Sequence, residues 1–222
     1  MCRKSVWEQP VSAETKQRVR QLCAIDQKAD VSVLRVLDFG CGNGRYLEVF
    51  AEWISNGGLY GVEIDTARVA QARQKGLNCV LTDRKSSGLP FRDESFHIVF
   101  SSNVVEHIPR GLYFECLLEI QRVLSSGGRF VIGTPNYPAK RAYDLLKALT
   151  THHHSYYLFD DPTHVNKMSI RRLERDLKDV FSEVHLEIDH LLLEDHIPWL
   201  RRADIRHLLR AFGDKTIGYC ER

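Results

Sequence analysis

The sequence predicts an α/β fold built on a mostly parallel sheet, and three observations lead there. Short β-branched apolar runs alternate with longer stretches of helical pattern, as repeated βαβ units require. One such run, Val36-Leu37-Asp38-Phe39, leads directly into a glycine-rich turn and then a helical stretch. The chain has 222 residues, 43% of them hydrophobic, enough to bury a sheet on both faces within one domain.

In chain order, residues 13–29 have helical character and precede the sheet. Residues 33–37 form the first strand candidate, and the glycine turn delivers the chain to a helix over about 46–55. The turn signal Asn56-Gly57-Gly58 opens a second strand over 59–64. A helix over 66–75 has Asp65 or Thr66 as its cap and Gly76 at its end. Strands are expected at 79–82 and 96–101. An amphipathic helix at 112–124 is ended by Gly127-Gly128, and a fifth strand covers 129–134. After Pro135 the alternation stops for about thirty residues, long for a loop without a function. A helix at 169–178, a strand at 183–189, an irregular or helical stretch containing Trp199, and a last strand at 216–220 complete the chain.

Composition excludes several function classes. A charged fraction of 27% and a net charge of +2 give no concentrated basic field, which argues against nucleic acid and membrane surfaces as partners. Two arginine-rich runs, Arg171, Arg172, Arg175, Lys178 and Arg201, Arg202, Arg206, Arg210, are interleaved with apolar residues and are expected as solvated helix faces. The six cysteines include no C-x-x-C pair, which suits a reduced, cytoplasmic chain rather than a disulfide framework or a zinc site. No apolar run reaches the roughly 18 residues of a membrane span. The expectation is a single domain over 1–222, with a ligand-binding half at about 30–134 and lid elements at about 135–168 and 190–212.

The chemistry is concentrated in Asp38-Phe39-Gly40-Cys41-Gly42-Asn43-Gly44. Glycines permit a tight turn and a close ligand, and the helix start beyond them offers free N–H groups. A glycine triplet alone is weak evidence, but acids stand at three successive strand ends. Asp38 precedes the glycines, where a carboxylate repels a pyrophosphate yet suits a ligand carrying a sulfonium and an amino group. Glu63 ends the second strand, where it can accept ribose hydroxyls, and Asp83 follows the third, within reach of an adenine amino group.

With these residues the chain resembles the class I S-adenosylmethionine-dependent methyltransferases, in particular the group that includes quinone-biosynthesis enzymes. The resemblance rests on VLDFGCGNGRYL, YGVEID, DRKSSGLPFRDESFHIVFSSNVVEHI and LSSGGRFVIGTPN, in that order. It implies a Rossmann-like, seven-stranded α/β/α sandwich with an antiparallel last strand, and S-adenosylmethionine as cofactor with S-adenosylhomocysteine as product. It further implies that Asp38, Gly40, Gly42 and Gly44 line the methionine part, Glu63 the ribose, and Ile64, Asp83 and Arg84 the adenine. Ser101 and Ser102 would pass beneath the methyl donor. His97 stands where the family has aspartate, within a strand and away from the expected pocket.

Catalytic candidates lie beyond the fourth and fifth strands. Glu106 and His107 follow the fourth strand, either as participants or as a structural pair with the histidine bonded to backbone. His164, in Asp160-Asp161-Pro162-Thr163-His164, is either a base oriented by Asp160 or Asp161, or part of a turn leading to a Ser169 cap. The Asp-Pro-Thr-His segment also resembles methyltransferases of sugars and quinone precursors. His152-His153-His154 lack the spacing of a metal site and are expected in a polar lid, so no metal is expected. Tyr137, Tyr143, Tyr156, Tyr157, Phe159 and Trp199 supply aromatic surface for packing and for an acceptor. The reading is methylation of a small-molecule acceptor, most simply on oxygen. Its rivals are a protein or RNA methyltransferase, a non-catalytic S-adenosylmethionine-binding subunit, and an NAD(P)-dependent oxidoreductase. The last predicts G-x-G-x-x-G, whereas Tyr46 stands after Asn43-Gly44-Arg45.

Overall fold

The computed structural model describes residues 10–28, 30–83, 85–137, 139–150, 160–191 and 213–222. Seven strands form one sheet: β1 Val36–Phe39, β2 Leu59–Glu63, β3 Cys79–Leu81, β4 Phe96–Ser102, β5 Leu124–Pro135, β6 Glu183–Leu191 and β7 Gly213–Glu221. Their order is β3-β2-β1-β4-β5-β7-β6. The first five run parallel to one another, while β7 lies antiparallel between β5 and β6. The chain order therefore reverses beside β1, between β2 and β4. Ligands of open α/β sheets bind at such a switch point, off the carboxyl ends of the strands.

Among the described residues, six α-helices flank the sheet: α1 Ala13–Leu22, α2 Arg45–Phe50, α3 Thr66–Gln74, α4 Arg110–Val123, α5 Ala139–Thr150 and α6 Ile170–Lys178. Two hydrophobic cores result, one on each face. Val19, Leu22, Leu47, Phe50, Val69 and Ala72 from α1, α2 and α3 pack with Val36, Ile98 and Val131. Leu117, Ile120, Leu173 and Leu177 from α4 and α6 pack with Leu37, Val99 and Phe130 on the other face. Strand residues alternate between the two cores, which is why these strands read as continuous apolar runs. This is the three-layer α/β/α arrangement implied by the resemblance.

Local sequence accounts for several boundaries. Asp65 caps α3, its Oδ1 accepting from the amides of Ala67 and Arg68 at 2.9 and 3.1 Å. Ser169 caps α6 by accepting from Arg172 N. In α6 the buried Ile170, Leu173 and Leu177 recur at helical spacing, and Arg175 and Lys178 point outward.

Two expectations need correction. The stretch after Pro135 is not irregular throughout, because α5 occupies 139–150. The prolines at 135 and 138 break the local pattern, and packing of α5 against β7 supplies what local propensity does not. Nor do Gly127-Gly128 end the helix. The chain leaves α4 at Val123 and enters β5 at once, because the buried Leu124 pairs with Phe96 of β4. The lid candidates at 152–154, 156, 157, 159 and 199, the second arginine run, and Arg84 lie outside the described residues.

Candidate functional site

The carboxyl ends of β1, β2, β4 and β5 carry polar side chains that the apolar layers around them do not explain. Asp38, on β1, is 2% exposed, and its Oδ2 has no hydrogen-bond partner among the described residues. Burial, with Cys79 and Glu63 nearby, pushes its carboxyl well above the usual carboxylate range. A buried acceptor left open is costly, so it marks a place for a donor or a cation.

The glycine turn is anchored from both sides. Gly40 N and Cys41 N donate to Val62 O at 2.9 and 3.0 Å, and Gly42 N donates to Glu63 Oε2 at 2.9 Å. The other oxygen of Glu63 accepts from the amides of Ile64 and Asp65, so the carboxylate is held rigidly at the end of β2. Gly42 has φ +57°, and a Cβ added there would meet nothing within 4 Å, so the turn is open on that side. Gly40, at φ +78°, is closed: a Cβ there would lie 2.4 Å from Val104 Cγ2. That contact seats the glycine turn directly against the turn that carries Glu106 and His107. Gly44 occupies the cap position of α2.

Along the same edge, Ile64 leaves an apolar side chain 41% exposed beside Glu63. Asp83 is exposed beyond β3, its Oδ1 accepting from Lys85 N. Ser101 is buried with its Oγ unpartnered among the described residues, whereas Ser102 Oγ accepts from Asn103 Nδ2. His97 sits at the opposite end of β4, where its Nδ1 accepts from Arg35 N. Cys41 and Cys79 are buried thiols with Sγ atoms 3.2 Å apart.

The second half of the site joins three segments. Glu106 is 1% exposed; its Oε2 accepts from Thr134 Oγ1 at 2.9 Å, and its Oε1 has no partner among the described residues. Burial raises its pKa, while the bonds it accepts and the charges of His107 and Lys215 oppose that rise. His107 Nδ1 lies 3.1 Å from Thr163 O, and the rings of His107 and His164 meet edge to face at 4.8 Å.

His164 Nδ1 is 2.6 Å from Tyr137 Oη, and that hydroxyl donates to Asp160 Oδ1 at 3.0 Å. A phenol has one proton, and it goes to the carboxylate, so His164 Nδ1–H must donate to the phenol oxygen. Nε2 of His164 therefore carries the lone pair. The same reasoning applies to His107, because a carbonyl only accepts. Burial and the nearby His107 hold the pKa of His164 below the ordinary imidazole value.

Asp160 thus orients His164 through Tyr137, a link that spacing along the chain does not reveal. Asp161 instead accepts from Thr163 N and Oγ1, forming the turn, with its Oδ2 3.7 Å from His164 Nε2. Asn136 was also missed: it donates to Gly213 O and accepts from Ile170 N, tying β5 to β7 and α6. Its only sequence signal is the Thr-Pro-Asn-Tyr that follows β5.

Residues 36–128 match the family described as a methyltransferase domain. That match, which covers under half of the chain, agrees with the resemblance to the class I S-adenosylmethionine-dependent methyltransferases. A probable tRNA methyltransferase 9B of Mus musculus is 34% identical over 116 residues, which make up 52% of this chain and 24% of that protein. An aklanonic acid methyltransferase of a Streptomyces species is 29% identical over 123 residues, 52% of this chain and 54% of that protein. The matched segment spans from 20% to 54% of the curated relatives' lengths. A crystal structure of an S-adenosylmethionine-dependent methyltransferase from Archaeoglobus fulgidus superposes with a TM-score of 0.67 at 22% identity, over 94% of this chain and 93% of that one. That likeness establishes a shared fold.

The methyltransferase domain implies S-adenosylmethionine as its cofactor, and the site's own geometry fits that ligand. Asp38 offers an open buried carboxylate for the positive end, Gly42 an open cradle, and Ile64 an exposed apolar surface for a base. Among the described residues, no helix is long and apolar enough to cross a membrane.

Proposed function

We propose that the protein transfers a methyl group from S-adenosylmethionine to an oxygen atom of a small-molecule acceptor. The observation that carries the oxygen assignment is the Asp160–Tyr137–His164 chain, which leaves an unprotonated Nε2 on His164. An amine acceptor needs orientation and desolvation, whereas a hydroxyl gains from a base, and a fixed lone pair is what a base requires. S-adenosylmethionine, when bound, supplies a methyl group already activated on sulfur.

The chain's own residues bind, align and deprotonate. Asp38 takes the ligand's amino group, directly or through water, with Gly40, Gly42 and Gly44 around the methionine part. Glu63 accepts from the ribose, its Oε2 retaining acceptor capacity beyond Gly42 N. Ile64 and Asp83 adjoin the adenine, and Ser101 and Ser102 lie beneath the methyl donor. His164 Nε2 receives the acceptor's proton, with Glu106 and His107 beside it. In this reading residues 30–134 serve the cofactor and 135–168 the acceptor, within a single domain.

Methylation of tRNA is a second reading, favoured by the mouse relative. Against it, α6 pairs Arg172 with Asp176 and Lys178 with Glu174, which reduces its basic field. The test is transfer of a labelled methyl group to phenols, to sugar hydroxyls and to bulk tRNA, with the methylated atom located by mass spectrometry and NMR. A methyl ether on a small acceptor is the expected product. An N-methyl or C-methyl product, or labelling of tRNA alone, overturns the reading.

A further inference from the structure

We infer that Cys41 and Cys79 are a modification site: hydrogen peroxide joins them in a reversible disulfide, and that disulfide weakens binding at the glycine turn. The loss of binding rests on the reading of the turn as the cofactor's seat; formation of the disulfide does not. The sequence expectation of a reduced chain considered cysteine spacing, and these two stand 38 positions apart.

The two Sγ atoms lie 3.2 Å apart in a sulfur–sulfur hydrogen bond. A disulfide needs about 2.05 Å, so roughly an ångström of movement joins them. Gly61 makes the approach possible, because a Cβ there would lie 2.5 Å from Cys41 Sγ and 2.8 Å from Cys41 Cβ. Both thiols are nearly enclosed, Cys41 at 6% and Cys79 at 4% exposure, so the oxidant that fits is small and neutral, as hydrogen peroxide is.

The two thiols have different roles. The hydrogen bond from Cys41 favours the thiolate of Cys79, and the positive charge of Arg73 supports it, so the Cys79 thiol is held below its ordinary value. Arg73 is fixed there, its Nε donating to Cys79 O at 2.8 Å. Cys41 is pushed up by its bond to Cys79, by burial and by the carboxylates of Asp38 and Glu63. Cys79 is therefore the nucleophile and Cys41 the resolving thiol. By contrast, burial raises Cys23, Cys116 and Cys220, Cys116 to about 11, and keeps them protonated and inert.

The Cys79 thiolate attacks one peroxide oxygen; the sulfur–oxygen bond forms, the oxygen–oxygen bond breaks, and the departing hydroxide takes a proton to become water. Cys41 sulfur then attacks the sulfenic sulfur; the sulfur–sulfur bond forms and the sulfur–oxygen bond breaks. The hydroxide released takes the Cys41 proton. Two thiols and one peroxide thus give one disulfide and two waters, two electrons passing from sulfur to oxygen. A dithiol reverses the change by exchange.

Cys79 is held in β3 by its pairing with Gly61 and by Arg73, so the movement falls on Cys41. Cys41 adjoins Gly42, whose N–H donates to Glu63 Oε2 at 2.9 Å. Pulling Cys41 toward β3 disturbs this bond and the carboxylate assigned to the ribose.

The test uses the full chain, reduced, desalted and treated with hydrogen peroxide in the absence of cofactor. Intact mass should fall by two hydrogens, and non-reducing peptide mapping should recover residues 41 and 79 cross-linked. S-adenosylhomocysteine, titrated calorimetrically, should bind the oxidised protein about fivefold or more weakly, the equivalent of one lost hydrogen bond. Dithiothreitol should restore affinity. Cys79→Ser should form no cross-link, and its affinity should not respond to peroxide; Cys116→Ser should behave as wild type. A cross-link elsewhere, or sulfinic acid without a disulfide, overturns the site. Equal affinity of the reduced and cross-linked forms overturns the effect on binding alone. Failure of the reduced protein to bind S-adenosylhomocysteine overturns the cofactor reading, and the effect on binding with it, while a recovered cross-link leaves the modification site standing.

Discussion

Asp38 combines burial, an unpartnered oxygen and a carboxyl pushed well above its usual range. Because its folded-state pKa exceeds the unfolded value, its cost is absent at acid pH and stability is lost as pH rises through the raised value. Asp38→Asn should therefore stabilise the ligand-free protein near neutral pH, by about 1–3 kcal/mol if the lost charge dominates. Denaturant titration at pH 5 and pH 8 checks this, and the gain should be larger at pH 8. The same substitution should weaken S-adenosylmethionine binding, read by calorimetry, because the ligand's positive end is what the carboxylate lacks. The glycines divide in a similar way. Gly42→Ala should cost about 1–2 kcal/mol for its left-handed backbone and reduce cofactor affinity, since its Cβ would occupy the open cradle. Gly40→Ala drives a Cβ into Val104 and should cost more stability, visible as a lower melting temperature than that of Gly42→Ala.

At the scale of elements, the segment after β5 acts as a frame for His164. Asn136 ties it to β7 and α6, Tyr137 N donates to Met168 O, and Asn166 N donates to Glu106 O. Tyr137→Phe removes the link between Asp160 and His164 yet leaves the backbone bond to Met168. Cofactor affinity should stay unchanged, while methyl transfer falls by about 10–100-fold, as for other lost orienting partners of histidine. Calorimetry and single-turnover rates separate the two effects. Ser169→Ala removes the α6 cap and should cost about 1 kcal/mol, measured by denaturant unfolding, with little effect on the rate of transfer.

For the whole molecule, the proposed cofactor site draws on residues at the carboxyl ends of several strands, so a ligand bound there would stabilise the folded chain. At a cofactor concentration 100 times Kd the gain is about 2.7 kcal/mol, or roughly 5–10 °C in Tm for a domain of this size. Thermal denaturation with S-adenosylhomocysteine should show that rise in wild type and a smaller one in Asp38→Asn. NADH should produce none.

Periodicity and punctuation in the sequence determined the α/β class, the parallel strands and the glycine turn with its three acids, because these depend on neighbours within a few residues. Asp65 and Ser169 are legible as caps for the same reason. Only the tertiary structure decided that 139–150 is a helix, since its packing against β7 comes from a strand more than sixty residues away. It also decided the chemistry of His164. The residues that fix its tautomer and surround it, Tyr137, Asp160, Glu106 and His107, come from three separate segments. A hydrogen-bond chain of this kind is a property of spatial approach, and no local pattern in the sequence encodes it.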